Sequence, residues 1–153
     1  GDEAAMARAV DWLRPLNPPD RARPERIVTA SQPLTDSAWP SISVLSLDTL
    51  ADLGARMGID LSPHRFRGNL WVRGWQPWHE FDLVGQEIAI GPVRLLVRER
   101  ITRCKATTVD PATGQVAGDT LAALQSGWGH QDFGVYAEVI TGGTIALGDE
   151  VLA

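Results

Sequence analysis

Residues 87–97, EIAIGPVRLLV, place apolar side chains at alternate positions on both sides of Gly91-Pro92. Ile88 and Ile90 precede the turn; Val93, Leu95 and Val97 follow it. A period of two on each arm defines a hairpin of half-buried strands. The same β character runs through the rest of the chain beyond Pro63. FRGNLWV (66–72) has strand composition, DPATG (110–114) is a polar turn, and TLAALQ (120–125) is at most a short helix. GVYAEVI (134–140) and TIAL (144–147) read as strands joined at Gly142-Gly143, and Gly148-Asp149 turns the chain into a last short strand. Short strands with glycine turns and no regular βαβ alternation predict a β-dominated, barrel-like fold with a few peripheral helices.

The first third has a different pattern. DEAAMARAVDWL (2–13) is an amphipathic helix with Met6, Val10 and Leu13 on one face. NPPDRARPE (17–25) is a loop, Ile27-Val28 begins a possible strand, and SISVL (41–45) is a strand. Ser46 is placed to cap LDTLADLGARMG, with Asp48 in the first turn and Gly58 as the stop. The expected division is a helix and Pro/Arg-rich loop over 1–33, then one domain over 34–153.

Composition narrows the function. The net charge of −5 argues against a general nucleic-acid binder. Five of the 14 cations nevertheless fall between Arg94 and Lys105, which suits a discrete anionic ligand or a solvated strand face. A single cysteine allows no internal disulfide and no iron–sulfur cluster or zinc ribbon from this chain alone, and a reducing cytoplasm is the default compartment. No apolar run approaches the roughly 20 residues of a membrane span.

That one cysteine, Cys104, stands between Arg103 and the only lysine, Lys105, and is followed by Thr107, Thr108 and Asp110. Cations lower a thiol's pKa, although neighbours on a strand point to opposite faces, so the effect depends on a bend. A lone cysteine also fits a small core residue. In HRFRGN (64–69), Arg65, Arg67 and Asn69 would share one face of an extended chain, and guanidinium forks suit phosphate or carboxylate. Trp71, Trp75 and Trp78 with Phe66 and Phe81 read as core or barrel-end cover, with stacking on a heterocycle as the alternative. His79 and His130 lack metal-ligand spacing, and no P-loop, G-x-G-x-x-G or G-x-S-x-G is present.

RFRGN (65–69), TRCKATTVDPATG (102–114), FGVYAEV (133–139) and GTIALGDEV (143–151), in this order and spacing, resemble the MOSC family. That family includes the C-terminal domain of molybdenum cofactor sulfurases and the amidoxime-reducing components. The resemblance implies a β-barrel-like fold and a molybdenum–pterin (molybdopterin) cofactor, with Cys104 as metal ligand or persulfide carrier. It implies cofactor contacts for Arg67 and Asn69, with Gly68 standing where the family has proline. Thr102 matches a hydroxyl residue near the metal in the reductases. Arg65, Arg103 and Thr108 are further candidate contacts, and LTDSAW (34–39) resembles, more loosely, a segment supplying Asp36 and Ser37 to the site.

Three functions follow from this reading. The leading one is a molybdenum-cofactor oxidoreductase removing oxygen from N- or S-oxygenated compounds. With no cluster cysteines or flavin motif, its electrons would come from a separate donor protein. The alternative is a sulfur carrier loaded at Cys104 by a cysteine desulfurase; Lys105 lies in no pyridoxal phosphate context, so the chain is not expected to generate that sulfur itself. The third is a degenerate domain with Cys104 as core. Family members of this type carry an N-terminal portion ahead of the helix at 2–13, and a preceding region or another chain is expected to supply it.

Overall fold

A computed structural model describes residues 2–31, 35 and 37–153. It comprises two compact units, Gly1–Leu34 and Thr35–Ala153. In the first, helix α1 (Glu3–Leu13) is capped by Asp2, whose carboxylate accepts from the Ala4 and Ala5 amides. Ile27 and Val28 are exposed and lie outside any strand, contrary to the sequence expectation. A short 3₁₀ turn, Arg14–Leu16, follows α1, and the Pro/Arg-rich stretch 17–25 has neither helix nor strand.

Among the described residues, the second unit is a six-stranded sheet with two α-helices. Its strands are β1 (Ile42–Ser46), β2 (Leu70–Val72), β3 (Glu87–Ile90), β4 (Val93–Thr102), β5 (Asp132–Thr141) and β6 (Val151–Leu152). They lie in the order β2-β1-β5-β4-β3-β6, with only β1 and β2 parallel. The expected hairpin forms β3 and β4, and Ile88 and Leu95 face each other across it. TIAL forms no strand; residues 142–146 are irregular and Leu147 is fully exposed, so the apolar alternation there meets no partner strand.

Alternation along each strand fills two cores. Val44, Val72, Ile88, Val93, Val97 and Val135 form one cluster, with Val151 of β6 packed against it. Both edge strands therefore reach the same cluster, which requires the sheet to curl into a nearly closed, barrel-like form. Leu45, next to Val44, points the other way and joins Leu50, Leu53, Phe66, Leu124 and Phe133 under the helices.

Helices α2 (Leu47–Met57) and α3 (Thr120–Trp128) cover this second core. Ser46 caps α2 at the Asp48 and Thr49 amides, and Gly58 ends it at φ 66°. Three α2 side chains then anchor the loop that follows β2. Asp48 accepts from the Gly74 amide at 2.7 Å, Thr49 from the Trp78 amide at 2.8 Å, and Asp52 from the Trp78 indole at 2.7 Å. The aromatic residues accordingly pack inward: Trp78 lies against Trp128, Phe81 and Phe133, and Trp71 against Phe133.

Candidate active site around Cys104

Strand β4 ends at Thr102, and the next three residues alternate in direction. Thr102 and Cys104 are exposed, whereas the Arg103 side chain runs inward. Its Nε donates to the Phe133 carbonyl at 2.7 Å and its Nη1 to the Phe66 carbonyl at 2.9 Å, with the guanidinium over both rings. The Arg103 amide donates to the Gln131 carbonyl at 2.9 Å, so pairing with the β5 side continues past the end of β4. Cys104 is thus an outward thiol at a strand end, not a core residue.

A 3₁₀ turn, Lys105–Thr108, follows, and Cys104 occupies its N-cap position. The two threonines serve this turn. The buried Thr107 hydroxyl donates to the Cys104 carbonyl at 3.1 Å and pairs with the Thr120 hydroxyl of α3 at 2.6 Å. The Thr108 hydroxyl donates to the Lys105 carbonyl at 2.7 Å. DPATG closes as the expected turn, with the Gly114 amide donating to the Asp110 carbonyl.

The segment 65–69 is not the extended strand that its composition suggests. Ser62 and Pro63 open a 3₁₀ turn, Pro63–Phe66, and Arg67 is left-handed at φ 50°. Arg65, Arg67 and Asn69 therefore do not share one face. Arg65 is 7% exposed, and its Nη1 donates to the Thr107 and Thr108 carbonyls at 3.4 and 3.2 Å. Arg67 points to solvent. Asn69 is exposed, and its Oδ1 accepts from the Ser43 amide and hydroxyl at 2.9 and 2.8 Å. Arg65 and Arg103 thus cross-brace the two segments, each donating to carbonyls of the other.

Packing fixes the same junction. A Cβ on Gly68 would lie 2.7 Å from Leu45 Cδ1 and 2.9 Å from Trp71 Nε1. A Cβ on Gly134, which has φ 76°, would lie 2.7 Å from Leu45 Cγ. Leu45 fills the space left by two missing side chains, one beside Arg67 and one on β5.

The basic cluster does not converge on one ligand. Arg94 donates to the Gly91 and Val93 carbonyls, Arg98 pairs with Glu138, and Arg100 lies over the Phe81 ring. Ser37 donates to the Ser41 hydroxyl at 2.8 Å in the turn leading to β1, and Asp36 lies outside the described residues. A separate cavity of about 590 Å³ lies behind Arg65, lined also by Met57, Ile59 and Asp60, and Cys104 is not part of its wall. Asp132 belongs to none of the sequence motifs. It stands opposite Thr102 in the β4–β5 ladder and accepts from the Thr102 hydroxyl at 2.7 Å. Its signal in the sequence was its position immediately before the FGVYAEV strand.

A curled sheet presenting one thiol between two braced loops defines the class, and comparison supplies the family. The MOSC domain family model matches residues 37–152, and the chain belongs to that family. It is 33% identical over 102 residues to the molybdenum cofactor sulfurase of Anopheles gambiae, covering 66% of this chain and 11% of that protein. It is 31% identical over 144 residues to human mitochondrial amidoxime-reducing component 1, covering 84% of this chain and 42% of that protein. The chain therefore spans less than half the length of either relative. The YUAD protein of Bacillus subtilis shares the fold at a TM-score of 0.56 and 20% identity, over 87% of this chain and 69% of that one. Together these place the protein among MOSC domains related to molybdenum cofactor chemistry.

Proposed function

We propose that this protein binds the molybdenum cofactor at Cys104 and reduces N- or S-oxygenated compounds with electrons from a separate donor protein. The observation that carries the reading is the outward thiol of Cys104, held at a strand end by the Thr107 contacts to its carbonyl. The donor chemistry fits. Among the described residues no group of three or more His, Cys, Asp or Glu is arranged to hold a metal ion. A cofactor that brings its own dithiolene sulfurs needs only one soft ligand from the protein, and a thiolate is such a ligand. When held by Cys104, the cofactor would supply two-electron oxygen-atom-transfer chemistry, the electrons coming from the donor protein and the two protons of the released water from solvent.

The chain's own residues have distinct tasks in this reading. Cys104 supplies the sulfur. Arg67, outward and left-handed, offers a guanidinium to the cofactor's anionic group. Asn69, tied to Ser43, holds the far end of the Arg67 loop. Arg65 and Arg103 act behind the surface by joining the two loops. The test is elemental analysis of the full-length protein made in a cofactor-competent host. Near-stoichiometric molybdenum that is lost in Cys104→Ser supports the reading; none in the unaltered protein rejects it.

The similarity to a molybdenum cofactor sulfurase favours a second reading, a persulfide carried on the same exposed thiol. Incubation with a cysteine desulfurase and cysteine, followed by mass spectrometry, tests it. A sulfur adduct confined to Cys104 supports a carrier, and no adduct rejects one.

A further inference from the structure

We infer that Asp132 fixes the Thr102 hydroxyl as a hydrogen-bond acceptor beside Cys104, so that the site selects ligands bearing an N–H or O–H donor. The inference rests on the reading of Cys104 as the ligand-facing residue and adds to it the chemistry of what can sit alongside.

Thr102 and Asp132 are directly opposed across β4 and β5. The threonine Oγ1 lies 2.7 Å from Asp132 Oδ1. A hydroxyl has a single proton, and a carboxylate has none to give, so that proton is committed to Asp132. What remains for a ligand is lone pairs on the Thr102 oxygen and on the carboxylate. The Asp132 amide donates to His130 Nδ1 at 3.1 Å, which fixes the backbone that carries the carboxylate.

The direction of Arg103 decides which side these acceptors occupy. Because Arg103 turns inward to the Phe66 and Phe133 carbonyls, its two neighbours in an extended chain share the opposite face. Thr102 and Cys104 are those neighbours, and both are exposed. The Arg103 guanidinium is therefore aimed away from this face, and the exposed Lys105 belongs to the following turn. A ligand seated at the thiol meets acceptors along the Thr102–Asp132 edge. One with an N–H or O–H pairs there, and an isostere without such a donor does not.

The experiment is equilibrium titration of the full-length protein, expressed with cofactor, by benzamide and by N,N-dimethylbenzamide, which differ in their N–H donors. Molybdenum content and thermal midpoint are measured on every sample. The expected result is benzamide binding about tenfold tighter, the worth of one such hydrogen bond at an exposed site. Thr102→Val and Asp132→Ala should each bring the ratio near one. Asp132→Asn, whose Oδ1 still accepts from Thr102, should keep most of the preference. An unchanged ratio in both Thr102→Val and Asp132→Ala would overturn the inference, as would binding of neither amide. Equal loss in Asp132→Asn and Asp132→Ala would overturn the acceptor role and assign the effect to charge. Absence of molybdenum from the unaltered protein rejects the proposed function, whereas the amide ratio, which depends on the chain's own atoms, still decides this inference. If Asp132→Ala fails to fold, Thr102→Val carries the test alone.

Discussion

Arg103 and Phe66 are joined by a hydrogen bond of 2.9 Å from the guanidinium Nη1 to the main-chain carbonyl. It ties the residue before Cys104 to the residue before Arg67. Two loops far apart in sequence thus share one structural element behind the exposed thiol. Replacing Arg103 by methionine removes this bond and the one to Phe133, and leaves both carbonyls without that donor. The expected cost is about 3 kcal/mol, with lysine recovering about half through one remaining bond. Urea unfolding of the two variants measures both numbers.

Gly68 is packed so closely that the structure gives a reason for glycine here. Any Cβ meets Leu45, which is fully buried, and the Trp71 indole at under 3 Å. Gly68→Ala is expected to destabilise the fold by about 1–3 kcal/mol, the usual range for overpacking. Combining it with Trp71→Leu should return part of that loss. A double-mutant cycle by thermal or denaturant unfolding reads the coupling, and strict additivity would show that the indole is not the obstacle.

Glu80 is fully buried; its Oε2 accepts from the Thr49 hydroxyl at 2.9 Å and its Oε1 has no hydrogen-bond partner among the described residues. Burial raises its pKa above the ordinary 4.5, outweighing its backbone and Thr49 hydrogen bonds and the charge of His79. The folded chain therefore keeps this proton to higher pH than the unfolded chain. Its contribution is full below 4.5 and is lost as pH rises through the raised value, by at most about 1.4 kcal/mol per pH unit. Glu80→Gln should flatten that part of the stability–pH curve. Chemical unfolding of both proteins from pH 4 to pH 8 makes the comparison.

Cys104 is exposed, so iodoacetamide should add once to the native cofactor-free protein, at a rate close to that in denaturant. Bound cofactor should protect it, because a ligating thiolate is no longer open to attack. Mass spectrometry follows both reactions. Slow labelling of the cofactor-free native protein would mean that the sulfur is shielded and would remove the basis for either proposed role.

Local chemistry made much of the fold readable. Gly91-Pro92 between two alternating runs gave β3 and β4, and Ser46 and Gly58 gave the limits of α2, because each signal acts within a few residues. TIAL failed because alternation reports an apolar face but not whether a partner strand reaches it. The 65–69 segment failed for a different reason. Its extended reading ignored the Ser62-Pro63 start of a 3₁₀ turn, and an arginine at φ 50° is held by tertiary contacts rather than by its own preference. The family pattern pointed to Cys104, Arg67 and Asn69. The inward use of Arg65 and Arg103 depends on contacts across some forty residues, and Asp132 depends on strand register, neither of which a linear pattern records.

Register also governs what evolution or engineering can do with β4. The strand already carries irregularities against β5 between Val97 and Glu99 and between Arg100 and Thr102, each of which resets the side on which the following residues emerge. Deleting one residue there, with pairing restored beyond it, would exchange insides for outsides: a guanidinium would sprout where the sulfur stood, and the sulfur would be entombed between two phenylalanines. Length variation in this family member should consequently accumulate in the turns at either end of the strand and spare the ten residues between them.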